Sequence, residues 1–357
     1  MMQEKQALLD LHKLYENYGY AQYKMSKFEE YDLYVRNKSF LISDSVITFT
    51  DTNGKLMALK PDVTLSIVKN SCDIPGYIQK LYYDEHVYRI SDKTASYKEI
   101  SQVGLECLGD IDDYCITEVL TLAAKSLATF DRNYILDVSH MGILSLVLDR
   151  IGVSEAGRQA LIECTSRKDI HDAERICQEE GIDAEKASIL SRLEACSGRV
   201  DTALKELNKL FDDAEWISLV RRFGNILALL PNENIRIDFS VINDMNYYNG
   251  IVFQGFVPTI PTDVLSGGQY DNLMVRMEKK SGAIGFALYL DRLETLVAPR
   301  KDYDVDILLL YSDENTPADV LAAVQKLTKD GLSVVAQKSI PEKLTYRQLI
   351  NLTESGV

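Results

Sequence analysis

The chain has 357 residues, 39 Lys+Arg against 54 Asp+Glu, and a formal net charge of −15. Its 46% hydrophobic and 26% charged residues are ordinary for a globular protein, and its length suits a large core with one or two smaller domains. The acidic balance opposes nucleic acid over the surface as a whole, and no apolar run approaches the ~18 residues of a membrane span.

Residues 3–18 read as an amphipathic helix stopped by Gly19. Their mixed charges, without an uninterrupted apolar stretch, do not make a secretion signal. Residues 28–37 (FEEYDLYVRN) again read as helix, and SVITFTDTNGKLMALKPDVT as two strands joined at Asp51-Thr52-Asn53-Gly54, because Asn-Gly between alternating runs signals a hairpin. A helix over 62–70 follows, capped by Asp62 or Thr64, whose side chains can accept the free amides of a first turn. Residues 78–89 and 97–108 form a second antiparallel pair around the polar loop from Ile90 to Ser96. Gln102 and Glu106 are an even number of residues apart, so on a strand they share a face. Glu106, set among Val103, Leu105 and Leu108, is either a partly buried carboxylate that needs a partner or an edge-strand carboxylate facing water.

A helix at 116–129 precedes NYILDVSHMGILSLVLDRIG, which reads as strand, turn and helix. His140 is taken as a turn histidine satisfying backbone groups, since no Cys, Asp or second His stands at metal or triad spacing. Residues 154–228 are helical throughout in pattern, an insert with Ser154 and Asp183 as caps. From Ile235 to Leu293, IRIDFSV and GIVFQGF are short antiparallel strands, and SGAIGFALYLDRL passes from strand into helix. Gly267-Gly268 lets backbone approach whatever lies above the sheet. Tyr247-Tyr248, beside Asn243, Asp244, Asn246 and Asn249, offers phenol and amide groups to a small polar ligand. The plainer reading, a hairpin with two half-buried tyrosines, is the one local sequence favours. Pro299-Arg300-Lys301 reads as a linker, and strand 304–312, helix 316–329 and strand LSVVAQK begin a β-α-β tail. The six cysteines are scattered without a CxxC and read as reduced thiols of a cytoplasmic protein. No phosphate-loop, nucleophile-elbow or zinc motif is present, and no metal or cofactor is expected.

Six pieces of the chain, taken in order, resemble the class II histidyl-tRNA synthetase fold between about residue 5 and residue 295. KPDVT at 60–64 is similar to that family's Arg-Pro-Glu-x-Thr. VYRI followed by YKEISQVGLECLG is similar to its motif 2, and NDMNYYNGIVF to its Arg-Gly-Leu-Asp-Tyr-Tyr-Thr-Gly signature. SGGQYDNL is similar to its Gly-Gly-Arg-Tyr-Asp, and AIGFALYLDRL to its motif 3. The resemblance implies an α+β fold over residues 1–300: a six- to eight-stranded, mostly antiparallel sheet with flanking helices and a helical insert at about 150–228. Residues 301–357 would be a small, partial α/β C-terminal domain, too short for the anticodon-binding domain of a synthetase. The family is normally dimeric.

By resemblance the histidine-binding positions fall on Asp62, Thr64, Gln102, Glu106, Tyr247 and Tyr248, where carboxylates and an amide can hold an α-ammonium and Tyr hydroxyls with Glu106 can bond an imidazole. Arg89 and Arg292 would be remnants of the nucleotide site. Several positions depart from the pattern: Asn243 stands for an arginine, Ser91 for the motif 2 carboxylate, Tyr289 for a glycine close to the nucleotide, and Ser26 for the motif 1 proline, while Asp62 is one methylene shorter than the family's glutamate. Adenylyl transfer depends on positioned positive charge, so these losses imply no amino-acid activation and no catalytic residues. The pattern is similar to the regulatory subunits of ATP phosphoribosyltransferase, synthetase paralogues that partner a short-form catalytic subunit in histidine biosynthesis and carry histidine feedback inhibition. That resemblance implies a non-catalytic chain that self-associates as a dimer, takes L-histidine as effector and partners the catalytic subunit, with tRNA disfavoured as a partner. Two other readings stay open: an active histidyl-tRNA synthetase, and an adaptor with no ligand.

Overall fold

The computed structural model describes residues 2–41, 46–90, 96–230, 233–242, 248–297 and 303–352. The chain divides into two compact units, Met1–Val297 and Ala298–Val357.

The first unit is built on one sheet, with a long hairpin at its heart. Gln79–Ile90 and Tyr97–Gly109 pair antiparallel from Gln79 opposite Leu108 to Ile90 opposite Tyr97. Across the second of these strands runs Gly282–Tyr289, followed in order by Leu265–Gln269, Ile251–Phe256 and Ile135–His140, all antiparallel. Ile235–Ile237 then adds to Ile135–His140 in parallel. Two-residue strands close both edges: Ala21–Gln22 parallel to the long hairpin, and Gly198–Arg199 antiparallel to Ile235–Ile237. The sheet thus has nine strands among the described residues, one more than the upper expectation, and is mostly antiparallel.

Helices bury its apolar face. Met2–Asn17 and Asp113–Phe130 lie against it, the latter started by the Asp112 side chain, which accepts from the Cys115 amide at 2.9 Å. This cap satisfies one of the amides a first turn leaves without a helical partner. His140 ends its strand by accepting from the Gly142 amide through Nδ1 at 3.1 Å, which starts the helix Met141–Ile151. Its ring is thereby committed to the backbone, as a turn histidine should be, and burial lowers its pKa to about 4.

The insert holds the helices Glu155–Arg167, Ile170–Glu179, Ala184–Ala195, Val200–Leu207 and Ala214–Ala228. Ser154 and Asp183 cap the first and third, accepting from Gly157 and Lys186 amides. The insert is not helical throughout, because Gly198–Arg199 drops out to pair with the main sheet. Trp216 is fully buried here, its indole N–H donating to the Leu207 carbonyl at 2.9 Å.

One other expectation is corrected, and one is shortened. Residues 28–37 are not one helix: Phe28–Glu30 pairs with Leu56–Leu59 in a separate three-stranded sheet with Thr48–Thr50, and only Tyr31–Arg36 is helical. Edge pairing with the neighbouring hairpin outweighs the local helical pattern at Phe28, because strand preference is set by context. IRIDFSV is a strand as expected, but only over Ile235–Ile237, and Ile135–His140 lies between it and Ile251–Phe256. It stops at Ile237 because the Asp238 side chain accepts from both the amide and the hydroxyl of Ser240, folding the backbone away from the sheet.

The second unit is a parallel sheet of Val334–Gln337, Val305–Leu310 and Tyr346–Asn351, with Val305–Leu310 in the middle. Its helix Pro317–Lys329 begins in a capping box between Thr316 and Asp319. Tyr346–Asn351 is a strand beyond the β-α-β unit legible in the sequence. All six cysteines are free, and all but Cys72 are buried. No helix among the described residues is long and apolar enough to cross a membrane.

Candidate functional site

A cavity of about 460 Å³ opens over the centre of the main sheet. Its walls bring together Asp62, Thr64, Gln102, Glu106 and Tyr248 with Arg89 and Arg292, seven of the eight positions singled out from the sequence. Tyr247 lies outside the described residues, as do Asn243, Asp244, Asn246 and Ser91.

Glu106 is the buried centre of this constellation. It sits mid-strand between two neighbours, 2% exposed, so the edge-strand alternative does not hold. One carboxylate oxygen accepts from the Thr64 hydroxyl at 2.8 Å and the other from the Tyr270 hydroxyl at 2.5 Å. Burial pushes its pKa up to about 8, against the pull of those two hydrogen bonds. Room for it comes from the next strand: Gly285 is its cross-strand partner, and a Cβ there would sit 1.7 Å from Glu106 Oε2.

Asp62 accepts from the Leu65 amide at 2.8 Å, so it does serve the first turn of the helix Thr64–Asn70, while burial raises its pKa. The segment carrying Asp62 and Thr64 is anchored just before them. Lys60 is completely buried and paired with Glu85, which also accepts from the Met25 amide at 3.2 Å. Arg89 ties in from the long hairpin, its Nε donating to the Pro61 carbonyl at 3.1 Å. Gln102 shares the Glu106 face, as the even spacing requires, and lies opposite Tyr289. Tyr248 is held over Gly268, where an added Cβ would come within 2.6 Å of its ring, so the close backbone approach expected at Gly267-Gly268 is made to Tyr248 itself.

The other end of the cavity is filled by the chain's own side chains. The Arg292 guanidinium stacks 4.2 Å over the Tyr289 ring and donates to the Asp263 carboxylate at 2.8 Å and to its carbonyl. Stacking on a ring face and pairing with a carboxylate use the two recognition modes open to guanidinium. Tyr289 is 7% exposed, and burial raises its pKa.

Sequence reasoning missed Tyr270, Asp263, Tyr83, Gln254 and Ser266, all on the cavity wall. Tyr270 had a signal, since it stands in SGGQYDNL, but its ring could not be assigned a direction until the strand ended at Gln269. Asp263 had none, because its partner is 29 residues away. Asn249, grouped with the ligand-holding amides in the sequence, instead exchanges two hydrogen bonds with Asp271. No cluster of three or more metal-ligating side chains occurs among the described residues.

Comparison with known proteins places these features in a family. The model described as "Histidyl-tRNA synthetase" matches residues 1–293. The ATP phosphoribosyltransferase regulatory subunit of Oceanobacillus iheyensis is 27% identical over 330 residues, covering 90% of this chain and 81% of that one. Relatives named as histidine–tRNA ligases match as well. Among solved structures, a Bacillus halodurans protein described as an ATP phosphoribosyltransferase regulatory subunit/histidyl-tRNA synthetase superposes with a TM-score of 0.79 at 21% identity, covering 98% of this chain and 94% of that one. A chain of the ATP phosphoribosyl transferase (HisG:HisZ) complex of Thermotoga maritima superposes with a TM-score of 0.63 at 16% identity, covering 80% of this chain and 96% of that one. The chain resembles ATP phosphoribosyltransferase regulatory subunits along most of its length, with the α+β architecture of class II synthetases. With a match running unbroken from residue 1 to residue 293, it belongs to the histidyl-tRNA synthetase family.

Proposed function

We propose that this chain is the non-catalytic regulatory subunit of an ATP phosphoribosyltransferase. It binds L-histidine in the cavity around Glu106 and carries feedback inhibition to a short-form catalytic subunit, working as a dimer. The observation that supports this reading is the contrast between the two ends of one cavity. Around Glu106, Thr64 and Tyr270 the site keeps carboxyl and hydroxyl groups suited to an ammonium and an imidazole. At the other end the Tyr289 ring lies under Arg292, and Arg292 is already paired with Asp263. A nucleotide would have to displace that ring and compete for that cation, and transfer chemistry needs unengaged positive charge around the phosphates.

The names of the relatives support the partner, since one matching chain comes from a complex. Histidine can shift such an assembly only by binding its two states differently, typically by about 1–3 kcal/mol. Calorimetric titration of the chain with histidine and with ATP, alone and with the catalytic subunit present, tests the reading. Histidine should bind and ATP should not, and the partner should change histidine affinity by roughly 5- to 150-fold. Tight ATP binding with histidine-dependent pyrophosphate exchange would establish an active synthetase instead, the reading that the family's own name favours. No heat with histidine would leave an adaptor.

A further inference from the structure

Glu106 has no cation beside it among the described residues: its oxygens each accept one hydrogen bond, from the neutral hydroxyls of Thr64 and Tyr270, and each keeps a second lone pair for a ligand. The charged groups on the surrounding elements have partners of their own, and the Arg89 charge acts on Asp62 and on the Tyr289 phenol. Asp62 accepts from the Leu65 amide and adds a second acid to the same wall. Arg89 donates to the Pro61 carbonyl, Arg292 pairs with Asp263, and Glu85 holds Lys60. The remaining titratable neighbours, Tyr83, Tyr248 and Tyr289, are phenols that burial keeps neutral. A carboxyl in this setting keeps its proton up to about pH 8, whereas a free imidazole gives up its extra proton near pH ~6.5.

Taking the cavity as the histidine site, we propose that the ligand's imidazole ring and the Glu106 carboxyl hold one proton in common, so that affinity is greatest near neutrality and falls on both sides. The inference rests on the functional reading above and adds its regulation by pH. The proton balance is explicit. In acid the free ring and the free carboxyl each carry a proton, so one must leave on binding. In base neither carries one, so one must be taken up. Between the two, binding exchanges none. Each limb should therefore approach about a tenfold loss of affinity per pH unit.

The test is histidine affinity and proton exchange, measured calorimetrically in buffers of different ionisation enthalpy from about pH 5.5 to about pH 9. The full-length protein should show a bell, releasing protons on the acid side and taking them up on the basic side. In Glu106→Gln the basic limb should retreat to the titration of the ligand's own ammonium. With the unaltered protein, the triazolyl analogue of histidine, whose ring stays neutral throughout, should lose the acid limb and keep the basic one. This second arm stands if the variant fails to fold. A flat profile for histidine, or an unmoved basic limb in Glu106→Gln, would overturn the inference while leaving the histidine site intact. Absence of histidine binding at every pH would overturn the functional reading itself.

Discussion

At the scale of single residues, the cavity depends on a carboxyl and the glycine that makes space for it. Gly285→Ala would drive a methyl into the Glu106 carboxylate, since the clearance is 1.7 Å. The strand backbone cannot retreat, being paired on both sides. We expect a loss of about 2–3 kcal/mol in denaturant unfolding, as for overpacking elsewhere, and loss of histidine binding by calorimetry. Glu106 also makes stability depend on pH. Its folded pKa, about 8, lies above its ordinary value of 4.5, so the folded state holds a proton that the unfolded chain gives up. Its contribution is fully present below about pH 4.5 and is lost as pH rises through about 8. Glu106→Gln should flatten that slope, worth up to about 5 kcal/mol, and urea midpoints taken across the window would reveal it. Part of this was legible in the sequence, which left Glu106 open between a buried and an edge position and gave no sign of Gly285. The Gln102–Glu106 spacing gave their common face, and the ordered motifs gave the neighbours. The hydroxyl of Tyr270 was not legible, because 164 residues separate it from its acceptor and no local periodicity records such a pairing.

At the scale of elements, the segment carrying Asp62 and Thr64 is held by what precedes it. Lys60, completely buried, joins that segment to the long hairpin through Glu85. Removing one member of a buried ion pair leaves the other charge uncompensated, which commonly costs about 3–5 kcal/mol. Glu85 keeps some contact with solvent, so Lys60→Met should fall at or below the lower end of that range in thermal unfolding, and histidine affinity should fall with it. The long hairpin, the insert's Ser154 and Asp183 caps and the helix 113–130 were all readable from alternation, periodicity and cap residues. The failures at Phe28–Glu30 and Gly198–Arg199 share a cause. Each is a strand of two or three residues whose existence depends on a distant partner, and so short a stretch carries no period of its own.

At the scale of the whole molecule, the chain carries a formal net charge of −15 and divides into two compact units, Met1–Val297 and Ala298–Val357. The added edge strands were not foreseen, because they arise where loop segments happen to run beside a sheet already formed. The chain has a single tryptophan, Trp216, enclosed in the insert with Phe211 and the Arg150 guanidinium against its ring and absent from the cavity wall. Intrinsic emission excited at the indole therefore reports the integrity of one helical region. It should shift to the red when denaturant opens that region, and it should stay constant on adding histidine to the native protein. A spectral change with histidine would mean that occupancy of the cavity reaches the insert.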